Sequence, residues 1–334
     1  MEYIKLGNTG LEVSRLCIGT MTFGLQTNRE EAFKILDVAK VAGVNFIDTA
    51  NVYPIGRASY NEAGSTEVII GEWLQTQKRE DFVIVSKCFG TMGPDSTDKG
   101  LSRAAILKAV DASLERLQTT YLDLFLAHQF DDNIDYMETL SAFNELIQSG
   151  KVKHIGISNW RSWQIMKANG LALANKLIPY TVIEPRYNLL FRMIEDDLLP
   201  MAIEENMAVI TYNPLAAGLL TGKYTNNEET IEGTRFTLGG ATSALYQERY
   251  WQKAQFEAVD AYRVWCVEQG LEMITTAIKW VLQQKGISSV IIGASRVQQL
   301  ADSLKAATMQ DLTQAQLEWL NNLWYSLPRR NEYK

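Results

Sequence analysis

The chain has 334 residues, 46% hydrophobic, 10% aromatic and 21% charged, which is ordinary globular composition with material for a large buried core and excludes extended disorder. Thirty-two Lys and Arg stand against 39 Asp and Glu, a net charge of −7 with no long run of one sign, which argues against nucleic acid and anionic membrane as partners. Cys17, Cys88 and Cys266 form no CxxC pair and lie in apolar stretches, as reduced, buried thiols of a reducing compartment do.

Met1 to Lys5 opens into polar-apolar alternation rather than a signal peptide, and no later stretch approaches the roughly eighteen apolar residues of a membrane span. A cytoplasmic location is expected. Tyr3 to Leu6, the turn residues Gly7-Asn8-Thr9-Gly10 and Leu11 to Ser14 read as a β-hairpin that closes one end of the fold. Short apolar runs then recur: Arg15 to Thr20, Asn45 to Thr49, Phe82 to Lys87, Leu122 to His128, His154 to Asn159, Thr181 to Glu184, Ala208 to Tyr212 and Ser289 to Gly293. Between them lie stretches with apolar residues three and four apart, such as Ile106, Val110, Leu114 and Leu117. Eight such repeats predict an α/β fold, a (β/α)8 TIM barrel, as one domain over residues 1–334. A doubly wound open sheet is the alternative, but no GxGxxG follows the first strand. Tyr224 to Trp251 is long, polar, glycine-bearing and without a period, and is read as a lid loop.

A barrel of this kind gathers its active site where the strands end. The runs close on Asp48, Lys87, His128, Ser158 with Asn159, Glu184, and Tyr212 with Asn213, and Ser295 lies just past the last. Each alone has a structural explanation, such as a helix cap or a solvated strand end; seven together favour a site. Of the two histidines, His154 begins a run beside Lys151 and Lys153 and reads as surface. His128 closes a buried run and needs a partner.

The ordered motifs resemble the aldo-keto reductase family. They are Asp48-Thr49-Ala50-Asn51-Val52-Tyr53 with Gly64-Ser65-Thr66-Glu67, Val85-Ser86-Lys87, Leu122-Asp123-Leu124 leading to His128, and Gly156-Ile157-Ser158-Asn159. Tyr187-Asn188-Leu189, Asn213-Pro214-Leu215-Ala216, Gly222-Lys223-Tyr224 and Gly293-Ala294-Ser295 follow in family order. The resemblance implies NADPH-dependent reduction of an aldehyde or ketone, with a catalytic tetrad on Asp48, Tyr53, Lys87 and His128. In that scheme Tyr53 protonates the developing alkoxide, Lys87 lowers the tyrosine's pKa, Asp48 keeps Lys87 charged, and His128 hydrogen-bonds the carbonyl oxygen.

The resemblance also implies the cofactor contacts. Tyr212 stacks on the nicotinamide and Ser158 and Asn159 hold its carboxamide, near Gly19, Thr20, Met21 and Asp48. Asn213, Pro214, Leu215, Ala217, Lys223 and Arg235 follow the pyrophosphate. Gly293, Ser295, Arg296 and Gln299 lie where a strand meets a helix N-terminus, and an arginine there suits a 2′-phosphate, favouring NADPH over NADH. Three positions depart from the family: Glu184 replaces a glutamine that contacts the carboxamide, Ser303 an asparagine that reads the adenine, and Gln129 a tryptophan or arginine of the substrate pocket. An ionised Glu184 would favour the oxidised cofactor; a protonated one, or one turned to Arg186, would not. Phe23, Phe89 and Phe130 are expected to line an apolar substrate pocket. Two other functions stay open: a slow regulatory module like the potassium-channel beta subunits that resemble this family, and a Schiff-base aldolase using Lys87.

Overall fold

The structure, a computed structural model, describes residues 1–224 and 231–328. Its first two strands, β1 (Tyr3–Lys5) and β2 (Glu12–Ser14), pair antiparallel as the expected hairpin. Then β3 (Leu16–Gly19), β4 (Phe46–Asp48), β5 (Val83–Cys88), β6 (Leu122–Ala127), β7 (Val152–Ser158), β8 (Val182–Glu184), β9 (Ala208–Thr211) and β10 (Ser289–Gly293) form a closed parallel barrel in sequential order, β10 pairing with β3. The eight predicted runs are these eight strands, offset by a residue or two.

Helices cover the barrel: α1 (Arg29–Val41), α2 (Ser65–Leu74), α3 (Arg103–Leu117), α4 (Tyr136–Gln148), α5 (Ser162–Ala174), α6 (Leu198–Glu204), α7 (Gly240–Tyr250), α8 (Lys253–Gln269), α9 (Met273–Leu282), α10 (Val297–Leu304) and α11 (Gln314–Ser326). Helix α1 shows how sequence sets them. The Asn28 side chain accepts from the Glu31 amide at its N-terminus, and Ala32, Ile35, Leu36 and Ala39 bury one stripe. Among the described residues no helix is long and apolar enough to cross a membrane.

Alternation along the strands divides the apolar residues into two cores. Ile18, Ile47, Ile84, Phe125, Ile157 and Val209 face the helices. Cys17, Phe46, Val85, Leu126, Val182, Ile210 and Ile291 fill the barrel interior, where Leu6 and Val13 of the hairpin join them and close the strand-start end. At Gly156 a Cβ would lie 2.5 Å from Val182 O, so only glycine lets β7 and β8 approach.

The segment from Tyr224 to Trp251 corrects one expectation. Residues 225–230 lie outside the described residues, but 240–250 form helix α7 rather than a loop. It starts on Gly239 and Gly240 and presents no apolar stripe for a sequence to reveal.

Candidate active site

The interior alternation also places the polar residues. Two positions past the inward-facing Phe46, Val85, Leu126, Gly156, Val182 and Ile210 stand Asp48, Lys87, His128, Ser158, Glu184 and Tyr212. With period two they face the same side, one layer above the apolar floor. The register sets Ser158 beside Glu184 and Gly19 beside Asp48.

Lys87 is wholly buried, and its ammonium donates to Asp48 Oδ2 in a short contact and to Thr49 O at 2.9 Å. Glu184 Oε2 lies 3.4 Å from the same nitrogen. Asp48 and Glu184 are each 3% exposed. Burial raises the pKa of both carboxyl groups, most strongly at Glu184, while Lys87 pulls each down. On Lys87 the two carboxylates overcome burial and hold the ammonium charged. The sequence reading that turned Glu184 toward Arg186 is corrected in part: the carboxyl faces Lys87, and the Arg186 guanidinium lies 3.5 Å from the Phe191 ring centre.

Tyr53 arrives from the loop after β4, packed with Ala50, Val52, Met21, Ile55 and Met92. Its ring centre is 5.7 Å from Lys87 Nζ and 5.8 Å from the His128 ring, edge to face. Burial raises the Tyr53 pKa above its ordinary value; Lys87 opposes this and is outweighed, and Asp48 and Glu184 act with burial. The expected lowering is thus absent from the free protein, where Tyr53 holds its proton firmly. Burial, with Lys87 nearby, lowers His128 to about 3, so its imidazole is neutral. Arg57, which the sequence reading missed, fixes the Tyr53 loop by donating to Val52 O at 2.7 Å, Pro54 O at 3.2 Å and Thr91 O at 2.9 Å.

A hydrogen-bonded chain joins the next strand ends. Tyr212 donates to Asn159 Oδ1 at 2.8 Å, and Asn159 Nδ2 donates to His128 O at 3.0 Å and Ser158 Oγ at 2.9 Å. Ser158 Oγ in turn donates to Glu184 O at 2.7 Å. Asn159 and Asn213 sit at φ 60° and 63°, a left-handed conformation that asparagine tolerates. Asn213 Oδ1 accepts from the Ala217 amide at 2.6 Å, and its Nδ2 donates to the Tyr250 hydroxyl of α7 at 2.9 Å.

Every residue to which the resemblance gives a cofactor contact lines one cavity of about 1190 Å³, together with Tyr53 and His128. Lys87 lies beneath its floor. Tyr212, Ser158 and Glu184 line it, as do Arg296, Gln299, Ser303, Lys223 and Arg235. Among the described residues no carboxylate pairs with Lys223, Arg235 or Arg296. Gly293 is open to the cavity, where a Cβ would come 3.3 Å from Arg235 Nη2. This volume, lined by an aromatic ring and by three cations without a carboxylate partner among the described residues, fits a dinucleotide.

Three details refine the expectations. Glu31 Oε1 accepts from the Val297 amide at 2.8 Å, so a carboxylate already occupies part of the α10 N-terminus. Gln299 accepts from Ser295 N at 2.9 Å and Oγ at 3.1 Å, and Ser303 donates to Gln299 O at 3.0 Å. Of the three phenylalanines only Phe130 lines the cavity. Phe23 is sealed in the helix-facing core, and Phe89, just past Cys88, lines a separate hollow toward α3. Trp160, Tyr246 and Arg249, which the sequence reading missed, take part in the wall.

A parallel barrel whose strand ends collect an ammonium, two carboxyls, a phenol and an imidazole beside a long basic trough has the layout of a barrel enzyme. A model of the aldo/keto reductase family matches residues 15–324, and the chain belongs to that family. It is 36% identical over 331 residues to the uncharacterized oxidoreductase YrpG of Bacillus subtilis (strain 168), covering 97% of this chain and 96% of that one. It is 35% identical to a probable voltage-gated potassium channel subunit beta of Arabidopsis thaliana, with 99% of each chain covered. It is 31% identical to protein tas of Escherichia coli (strain K12), covering 93% and 94%. Family and relatives together mark an oxidoreductase, in a family that generally uses NAD(P)H and acts on small carbonyl compounds.

Proposed function

We propose that the protein reduces an aldehyde or ketone to an alcohol with NADPH, using Tyr53 as the general acid. The observation that carries the reading is the meeting of Tyr53, His128 and the Asp48–Lys87 pair at the wall of the cavity. The bound cofactor supplies the hydride. Tyr53, fully protonated in the free protein, gives its proton to the carbonyl oxygen as that oxygen gains charge. Lys87 stabilises the resulting phenolate, and Asp48 keeps Lys87 charged. Neutral His128 orients the oxygen. Ser158 and Asn159 are the carboxamide contacts, Tyr212 the stacking face, and Lys223, Arg235 and Arg296 the phosphate contacts, which favours NADPH over NADH.

The name of the Arabidopsis thaliana relative, a probable channel subunit, supports a second reading, a cofactor-binding regulatory module with slow turnover. A Schiff-base role for Lys87 is disfavoured, because its ammonium is buried, charged and committed to Asp48 and Thr49 O. The test is a panel of aldehydes and ketones with NADPH, followed by loss of reduced-cofactor absorbance. Turnover of an aromatic aldehyde near the ordinary enzyme rate of about 10 s⁻¹ is the expected result. Tight NADPH binding without turnover would establish the regulatory module, and no binding would overturn both.

A further inference from the structure

The mouth of the barrel holds a charge imbalance that the tetrad does not require. Lys87 is the one cation, among the described residues, in ion-pair contact with Asp48 and Glu184. With both carboxyls ionised the cluster would carry a net negative charge in a place where all three side chains are at least 96% buried. Burial opposes that state, and one shared proton relieves it.

The geometry says where the proton resides. Lys87 directs its short contact at Asp48 and a further bond at Thr49 O. Glu184 Oε2 is left at 3.4 Å from the ammonium and has no hydrogen-bond donor. Glu184 therefore gains less from the ammonium than Asp48 does, and the Asp48 charge further opposes its ionisation. Asp48, the better served by Lys87, stays ionised, and the proton resides on Glu184. The other groups facing this cluster carry no charge in this state: the Cys17 thiol of β3, the Tyr53 phenol, Ser158 of β7 and the His128 imidazole.

Resting on the proposed nicotinamide site, we propose that Glu184 carries one proton in the free protein, keeps it against the reduced nicotinamide ring, and releases it to solvent against the oxidised ring. The oxidised ring bears a positive charge, so its arrival balances the second carboxylate. The reduced ring is neutral and leaves the balance unchanged. Affinity for NADP⁺ then rises with pH, by up to about tenfold per unit across the range in which binding expels the proton. Affinity for NADPH does not follow it. The glutamine usual in the family has no proton to lose.

Calorimetric titration with NADP⁺ and with NADPH, in buffers of different ionisation enthalpy between about pH 6 and pH 9, counts the protons directly. The native protein is expected to release close to one proton per NADP⁺ at some pH in that range and none per NADPH. Glu184→Gln should release none with either, whereas Tyr53→Phe should keep the release, which separates Glu184 from the phenol. In the native protein alone, the infrared difference spectrum on adding NADP⁺ should lose one protonated carboxylic acid band. Binding of NADP⁺ with no proton release and a pH-independent dissociation constant overturns this inference alone. Release that survives in Glu184→Gln and vanishes in Tyr53→Phe also overturns it. Failure of both cofactors to bind overturns the cofactor reading, and this inference with it.

Discussion

Asp123 and Asp48 are both buried carboxylates of barrel strands, at opposite ends, and their surroundings differ in sign. Asp123, near the start of β6, accepts from Arg79 at 2.8 Å, Lys153 at 2.9 Å and the Ile84 amide at 3.0 Å. One carboxylate there has two cations, and Arg79 and Lys153 are 14% and 45% exposed, so water shares the charge. At the mouth two carboxyls share one wholly buried ammonium, and one carboxyl oxygen has no donor. The Asp123 cluster meets its carboxylate with two cations; the cluster at the mouth has one cation for two carboxyls and is balanced only by a proton.

The comparison is broken most directly by removing the cations. Lys87→Met leaves two carboxyls buried without a counter-charge and is expected to cost about 3–5 kcal/mol in denaturant unfolding at neutral pH. The loss should shrink as the pH falls and Asp48 takes up a proton. Lys153→Met, at a half-exposed pair whose carboxylate keeps Arg79, should cost under about 1 kcal/mol. Equal losses at the two ends would erase the distinction.

Arg296 is a third case, exposed and without a carboxylate partner among the described residues. On the proposed function its charge meets the 2′-phosphate of the cofactor. Arg296→Ala is expected to leave stability unchanged and to weaken NADPH binding by about 1.5–3 kcal/mol, one to two decades, with little change for NADH. An unchanged ratio of the two dissociation constants places the 2′-phosphate elsewhere.

The two histidines sample the same two ends more gently. His128 is lowered to about 3 by burial and Lys87, whereas at His154 burial and Lys153 lower the pKa and Asp123 raises it. A histidine with a depressed folded pKa binds its proton first in the unfolded chain. Its contribution is therefore complete above an unfolded pKa of about 6.5 and is lost as the pH falls toward about 3. His128→Asn should flatten stability against pH in that window by at most about 1.4 kcal/mol per unit, and by less because the ring edges onto the cavity. His154→Asn should change the slope less. An identical effect of both substitutions would contradict a drier mouth.

Much of this was legible in the sequence because recurring apolar runs and the helical spacing between them carry it. Each strand is a short apolar run, and the polar residue that closes it stands at the end where a barrel gathers its site, so Asp48, Lys87, His128, Ser158 and Glu184 were legible as a group. What failed was information that period does not hold. Phe23 and Phe89 follow strands in loops, where no alternation tells inside from outside. Helix α7 begins on glycines and buries Ser243 and Tyr250 rather than aliphatic residues, so nothing periodic announced it. The Glu31 contact with the Val297 amide joins residues 266 apart and leaves no local trace. Glu184 was visible as a departure from the family, but its state depended on Asp48 and Lys87, which arrive from other strands.

The central claim, that Tyr53 is the proton donor of an NADPH-dependent carbonyl reduction, is tested most directly by single-turnover reduction of an aromatic aldehyde by native protein and Tyr53→Phe, each preloaded with NADPH. The account predicts a rate lower by about 10²-fold to 10⁴-fold in the variant, with an NADPH dissociation constant within a factor of about two of native. A near-native rate in Tyr53→Phe would contradict it.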